Sequence, residues 1–104
     1  MKKIFGIKNC TNCRKAVKYY SENDFLFIDV RSSDFLESDI NYLISIFGDE
    51  LVNQKSKTWR ELPQSCKSLG TKEIIMQFPV VMKRPVIING PRNFLGWPKN
   101  SELC

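Results

Sequence analysis

The order of apolar and polar positions predicts a chain that begins β-α-β. Residues 2–7 form a short β-rich run, and a helical pattern follows after the loop at residues 8–9. Apolar side chains then recur at i, i+3, i+4 and i+7, in a stripe formed by Cys13, Ala16, Val17 and Tyr20. Residues 25–30 are rich in aromatic and β-branched side chains, which is typical of a second strand.

The middle of the chain is predicted to be helical. Asp34, with Glu37 three residues later, is typical of a helix start. A second apolar stripe follows and ends at Gly48; it consists of Ile40, Leu43, Ile44 and Phe47. After it we expect a loop, a short turn and another helix, at residues 53–57, 58–62 and 71–78.

The end of the chain is predicted to return as a β-hairpin. Residues 80–89 are strand-like but interrupted by Pro85, the pair Asn89-Gly90 is a strong turn signal, and residues 92–96 form the returning strand. Pro98 suits the first turn of a closing helix. The β-α-β start requires parallel strands and the hairpin supplies antiparallel ones, so the sequence predicts an α/β fold with a mixed sheet flanked by helices.

Composition limits the function classes. The 104 residues suit a single domain, 1–104, and 42% apolar with 26% charged residues is typical of a soluble globular protein. The net charge of +5 is spread along the chain and forms no basic arm, so direct nucleic-acid binding is not expected. No signal-peptide core and no apolar span of about 18 residues occurs, so we expect a cytoplasmic protein without a membrane segment.

The candidate chemistry lies in Cys10-Thr11-Asn12-Cys13, at the predicted start of the first helix. A helix N-terminus offers unpaired N–H groups and partial positive charge, and both favour a thiolate over a thiol. We therefore expect Cys10 to be a nucleophile with a lowered pKa. Cys13, one turn later, is placed to resolve an intermediate formed on Cys10.

Three alternatives compete with catalysis by the cysteine pair. A structural zinc site needs four ligands, yet the chain has four cysteines without a second close pair and no histidine, so no metal is expected. Both cysteines could instead be small buried side chains, a role that suits Cys13 better than Cys10. The third alternative, a regulatory redox switch without turnover, stays open.

Two arginines are candidate anion ligands. Arg84 precedes Pro85, and a proline at this point marks a sheet edge, a strand start or a cis bond. Arg60 follows Trp59 in a second segment that carries little information alone. A guanidinium group suits two-pronged binding of an oxyanion.

These residues together resemble the arsenate reductase/Spx/YffB family. The resemblance runs in order through residues 7–16, 58–60, 79–87 and 95–96. It implies a thioredoxin-like fold with a helical insertion between its two halves. It also implies a cis-proline, here Pro85, facing the active cysteine.

The resemblance also implies roles for single residues. Cys10 matches the family's nucleophile, and Arg60 and Arg84 match two arginines that bind the substrate in the glutaredoxin-coupled arsenate reductases. Those enzymes carry a third arginine before a proline near the end, where this chain has Trp97 before Pro98. This difference argues against arsenate reduction.

Two functions follow from the resemblance. The leading one is a thiol–disulfide oxidoreductase of the YffB type, with no bound cofactor and with glutathione as co-substrate. Its catalytic residues would be Cys10 and Cys13, and its substrate-binding residues Arg60, Arg84 and Pro85. The alternative is a Spx-type redox-sensing regulator that binds the C-terminal domain of the RNA polymerase α subunit, because a second cysteine like Cys13 is typical of Spx proteins.

Overall fold

A four-stranded mixed sheet forms the centre of the first compact unit. The computed structural model describes residues 2–20, 25–90 and 92–96. The strands are β1 (Lys2–Gly6), β2 (Phe25–Asp29), β3 (Val86–Asn89) and β4 (Arg92–Leu95), in the spatial order β2-β1-β3-β4. The β1–β2 pair is parallel, and the β1–β3 and β3–β4 pairs are antiparallel. The predicted mixed α/β sheet is therefore confirmed.

Helix α1 (Thr11–Tyr19) connects the two parallel strands and contributes to the core of this unit. Ala16 and Tyr20 are buried with Ile4 and Ile87 in one apolar cluster. Val17, predicted to join them, is instead 42% exposed. It lies at the edge of the apolar stripe, where the helix surface turns from the sheet toward solvent.

The hairpin has its predicted strand ends at the turn. Asn89 pairs with Arg92, so β3 ends at Asn89 and β4 begins at Arg92, as expected. Gly90 has φ 62°, a conformation that glycine adopts without a steric penalty. Strand β3 begins later than expected, because residues Pro79–Val81 form a 3₁₀ helix.

The Arg84–Pro85 peptide bond is cis, as the resemblance implied. Pro85 is buried and immediately precedes β3, which is an inner strand of the sheet. Its carbonyl oxygen accepts a hydrogen bond of 2.8 Å from the Gly96 N–H. A proline at a strand start removes no ladder hydrogen bond from within the strand.

Residues 35–83 form a second compact unit, inserted in sequence between β2 and β3. Its helices are α2 (Glu37–Phe47), α3 (Lys57–Glu61), α4 (Gln64–Lys67) and α5 (Thr71–Gln77). Two 3₁₀ helices, Gly48–Leu51 and Pro79–Val81, complete it. Leu43, Leu51, Ile75 and Val81 are fully buried. The helical insertion expected between the two halves is confirmed in this segment.

The start of α2 corrects the prediction that Asp34 caps it. Leu36 occupies the N-cap position and Asp34 is exposed. The Asp39 carboxylate accepts a hydrogen bond of 3.0 Å from the Leu36 N–H, so an acidic group in the first turn replaces the expected cap. Gly48, with φ 60°, ends the helix as predicted.

Two further differences concern short helices. Helix α4 was not predicted, because four residues are too few to show a helical period. Helix α3 begins at Lys57, inside the predicted loop, where the Ser56 hydroxyl caps it by accepting a hydrogen bond of 3.1 Å from the Trp59 N–H.

Trp97, Pro98 and the predicted closing helix lie outside the described residues. None of the described helices has the length and apolar character needed to cross a bilayer.

Candidate active site at the start of the first helix

Cys10 occupies the N-cap position of α1. Its backbone is extended, with φ −83° and ψ 128°, and its carbonyl accepts the first helical hydrogen bond from the Arg14 N–H at 2.9 Å. Its own N–H donates to the Ile7 carbonyl at 3.0 Å, which ties the loop back to the end of β1. The thiol is thus held at the positive end of the helix and is partly open to solvent.

The surroundings of Cys10 favour its thiolate. Partial burial acts to raise the pKa of this thiol, but four nearby groups outweigh it: the Cys13 N–H, the Cys13 thiol, the Asn12 N–H and the positive charge of Arg84. The pKa of Cys10 is therefore lowered. The Cys10 side chain makes no capping hydrogen bond, so the two N–H groups stabilise the thiolate through their positive partial charge.

Cys13 is the opposite kind of thiol. Its side chain is only 1% exposed, and this burial raises its pKa to about 12. The Ile7 N–H donates to the Cys13 sulfur at 3.4 Å and opposes the rise, while the neighbouring Cys10 adds to it. Cys13 therefore stays protonated while Cys10 ionises, so the two thiols of the motif differ in chemistry.

Gly6 makes room for Cys13, a role that the sequence did not reveal. A Cβ atom at Gly6 would lie 2.5 Å from the Cys13 sulfur and 3.2 Å from its Cβ. Contacts this short require atoms to move, so only glycine lets α1 seat its second cysteine against the end of β1. The broken β pattern at Gly6 was the available signal in the sequence, but a glycine at a strand end has several explanations.

Asp29, at the end of β2, holds the loop that leads to Cys10. One carboxylate oxygen accepts a hydrogen bond of 3.3 Å from the Lys8 N–H and forms a salt bridge of 3.1 Å with Arg31. The Asp29 side chain is 11% exposed but that of Arg31 is 46% exposed, so solvent partly screens the pair. The hydrogen bond from Arg31 holds the pKa of Asp29 at about 2, although burial acts to raise it.

This lowered pKa predicts an acid-dependent loss of stability. Asp29 stabilises the folded state fully above its unfolded pKa of about 3.9, and the contribution is lost as the pH falls through the folded value of about 2. We expect the free energy of unfolding to fall less between pH 5 and 2, measured by urea denaturation, in Asp29→Asn than in the parent. The exposed Asp34→Asn is the control, and equal pH profiles for all three proteins would contradict the prediction.

The predicted site residues fall into two groups. Cys10, Cys13, Arg84 and Pro85 belong to the first compact unit; the charge of Arg84 helps to lower the pKa of Cys10 and opposes the rise in the pKa of Cys13. Arg60 belongs to the second unit, where its exposed side chain lies in the last turn of α3. Its role in substrate binding stays a prediction. The described residues hold no cluster of Cys, Asp and Glu side chains fit for a metal ion.

Comparison with known proteins shows the family of this chain. The family model described as "ArsC family" matches residues 5–102. The chain belongs to the ArsC family. The match covers the end of β1, the three other strands, the cysteine motif and the helical insertion.

Individual relatives of this ArsC-family protein include a regulator. An uncharacterized protein of Haemophilus influenzae is 31% identical over 104 residues, which cover 90% of this chain and 89% of the relative. The global transcriptional regulator Spx of Streptococcus pneumoniae is 25% identical over 102 residues, covering 90% of this chain and 77% of the regulator.

Solved structures establish the thioredoxin-like ArsC fold. A protein named YffB superposes with a TM-score of 0.84 at 23% identity, covering 99% of this chain and 96% of the other. An arsenate reductase-related protein from Brucella melitensis superposes with a TM-score of 0.72 at 24% identity, covering 98% and 90%. Identities this low show the fold alone.

Proposed function

We propose that this ArsC-family protein is a thiol–disulfide oxidoreductase that reduces disulfides with glutathione as co-substrate. The observation that carries the proposal is the contrast between its two thiols. Cys10 is partly exposed at a helix N-terminus with a lowered pKa, whereas Cys13 is buried beside it with a pKa of about 12. A reductase needs such an attacking thiolate and a protonated second thiol held in reserve.

The reaction proceeds by two exchanges and a regeneration. The Cys10 thiolate attacks one sulfur of a protein–glutathione mixed disulfide, forms a new disulfide bond and releases the other sulfur as a thiolate. Cys13 then loses its proton to the solvent or the departing thiolate, attacks the Cys10 sulfur and releases the second thiol. Two glutathione molecules reduce the Cys10–Cys13 disulfide and leave as glutathione disulfide.

The coupling between the cysteines orders these steps. The charge of the Cys10 thiolate and its interaction with Cys13 help to raise the pKa of Cys13. Once Cys10 is in a mixed disulfide, that negative charge is gone and Cys13 ionises more readily. The resolving thiol therefore ionises more readily after the first exchange, although burial, the largest cause, still raises its pKa.

The remaining predicted residues would bind the substrate. Arg84 is partly buried and close enough to Cys10 to stabilise its thiolate, so it is placed to attract an anionic group such as a glutathione carboxylate. Pro85 directly follows it on the cis bond. Arg60 is proposed as a second anion ligand on the basis of the family resemblance. A reductase that uses glutathione would act in the cytoplasm, where thiols are kept reduced.

Removing the charge of Arg84 should raise the pKa of Cys10. The Arg84 charge is the smallest of the effects that lower this pKa, so we expect a modest upward shift in Arg84→Gln. The pH dependence of Cys10 alkylation in the Cys13→Ser, Cys66→Ser, Cys104→Ser background measures it. Arg92→Gln, an exposed arginine of β4, is the matched control. An unshifted profile in Arg84→Gln would show that this guanidinium does not act on the thiol.

The test of the function is turnover on a defined substrate. The purified chain is supplied with a glutathionylated protein, excess glutathione, glutathione reductase and NADPH, and NADPH oxidation is followed. We expect a rate that is proportional to protein concentration and saturates with the substrate. A rate equal to that of glutathione alone, on protein and small disulfide substrates alike, would refute the enzyme assignment.

A second candidate function is a redox-responsive transcription regulator that binds RNA polymerase. It is favoured by the similarity to Spx across 90% of the chain, together with the Cys10–Cys13 pair typical of such regulators. Co-purification with the C-terminal domain of the polymerase α subunit, in reduced and oxidised form, tests it. Binding in one redox state without glutathione-dependent turnover would establish the regulator, and no binding in either state would exclude it.

A further inference from the structure

A groove with an apolar floor and a basic rim lies between α1 and β2, and we call it the α1–β2 groove. Its volume is about 380 Å³, within the range of ligand-binding clefts. Cys13, Val17 and Phe27 line it, and so do the apolar stems of Lys8, Arg14 and Lys18, whose exposed charged ends lie around it. Cys13 connects it to the thiol pair, but Cys10 does not line it.

Among the described residues, the three cations of the α1–β2 groove have no acidic partner. No acidic side chain of these residues lines the groove, and none forms a salt bridge with Lys8, Arg14 or Lys18. The nearby Asp29 is already paired with Arg31. The groove therefore presents positive charge that remains available to an anionic ligand.

The positions of the cations indicate the shape of that ligand. Arg14 and Lys18 lie one helical turn apart, roughly 5–6 Å between their Cβ atoms. Lys8 comes from the preceding loop, and the Arg14 side chain donates a hydrogen bond of 3.1 Å to its carbonyl, which fixes the guanidinium at the rim. Val17, 42% exposed, lies between the two helix cations in sequence. The groove therefore combines cations at separate positions with an exposed apolar side chain between them.

We propose that the α1–β2 groove binds an acidic, apolar peptide segment of a partner protein. Two or more carboxylates on such a segment meet the separate cations, while a leucine or phenylalanine between them covers Val17 and Phe27. A small amphiphile with a single carboxylate satisfies only one of these positions, so the charge arrangement favours a peptide. The groove is a recognition surface beside the thiols and does not depend on their turnover.

The test uses a fluorescein-labelled peptide of sequence Asp-Leu-Glu-Phe-Asp-Leu and the full chain in reduced form. Fluorescence anisotropy should show saturable binding that weakens as salt is raised. Lys18→Glu should weaken binding at least about ten-fold, and Val17→Ser should weaken it several-fold. Lys15→Glu is the matched control, because it makes the same charge change on α1 without lining the groove, and it should leave the affinity close to that of the parent.

Several outcomes would overturn the proposal. Equal weakening by Lys15→Glu and Lys18→Glu would indicate unspecific attraction to a basic protein. Undiminished binding of the peptide with its acidic residues replaced by Asn and Gln would remove the charge argument. Decanoate binding without peptide binding would assign the groove to a small amphiphile. No peptide binding at low salt would refute the proposal outright. No disulfide is present in the assay, so each outcome leaves the proposed thiol chemistry untouched.

Discussion

Replacing Cys10 with serine is expected to abolish glutathione-dependent disulfide reduction, lowering kcat/KM by about a thousand-fold or more. A serine hydroxyl at the same N-cap position receives the same N–H groups and the same Arg84 charge as the Cys10 thiol, but it cannot ionise near neutral pH. It also forms no disulfide bond, so no electrons can pass to the substrate. The coupled assay with a glutathionylated protein measures the loss, and circular dichroism verifies that the variant is folded.

Cys13→Ser is the matched variant, and it should behave differently. Cys10 keeps its place at the helix N-terminus and still attacks, but no second thiol resolves the mixed disulfide. A Cys10–glutathione adduct should therefore accumulate and be visible by intact-mass spectrometry, with turnover reduced rather than abolished because free glutathione can resolve it slowly. Full activity in Cys10→Ser, or an adduct located on another cysteine, would contradict the assignment of Cys10 as the nucleophile.

Gly6→Ala is expected to destabilise the protein by about 1–3 kcal/mol, the range found for overpacked sites. The added methyl group would lie 2.5 Å from the Cys13 sulfur, which packs against the end of β1 and is nearly fully buried. Gly6 does not have a positive φ, so the backbone itself accommodates alanine and the cost arises from this contact. Urea denaturation of the reduced protein measures the change in the free energy of unfolding.

A double-mutant cycle separates this contact from other effects of the substitution. In a Cys13→Ala background the sulfur is absent, and the nearest remaining atom is the side-chain Cβ at 3.2 Å. Gly6→Ala should therefore cost clearly less in that background than in the parent. Equal costs in both would show that Gly6 does not serve to seat Cys13. In the parent background, faster alkylation of Cys13 in Gly6→Ala would accompany displacement of the sulfur from the Ile7 N–H.

The single domain expected over residues 1–104 stays a prediction, and the variants described above test the roles of Cys10 and Cys13. Most helices and strands, in contrast, could be predicted, because their types follow from local sequence patterns. The first strand, the first helix and the strand at residues 25–29 are confirmed with boundaries close to those expected. Glycine at the end of α2 and proline after α5 gave reliable stops, because glycine readily adopts the positive φ seen at Gly48 and proline cannot continue a helix.

The errors occurred where a local signal was compatible with more than one structure. Asp34 looked like a cap, but the Asp39 carboxylate provides the acceptor from inside the helix. Val80 and Val81 are β-branched, which favoured a strand, but they belong to the 3₁₀ helix Pro79–Val81. The cis bond between Arg84 and Pro85 follows before β3 begins. Val17 fitted the apolar stripe but lies on its exposed edge.

The sequence by itself determined that a pair of cysteines begins the first helix of a mixed α/β fold, since helix periodicity and Cys spacing are local features. Only the tertiary structure decided how the two thiols differ. The burial of Cys13 under Gly6, the anchoring of Lys8 by Asp29 and the proximity of Arg84 to Cys10 join residues far apart in the chain. A pKa depends on burial and neighbouring charge, and both arise only when the strands and helix pack together.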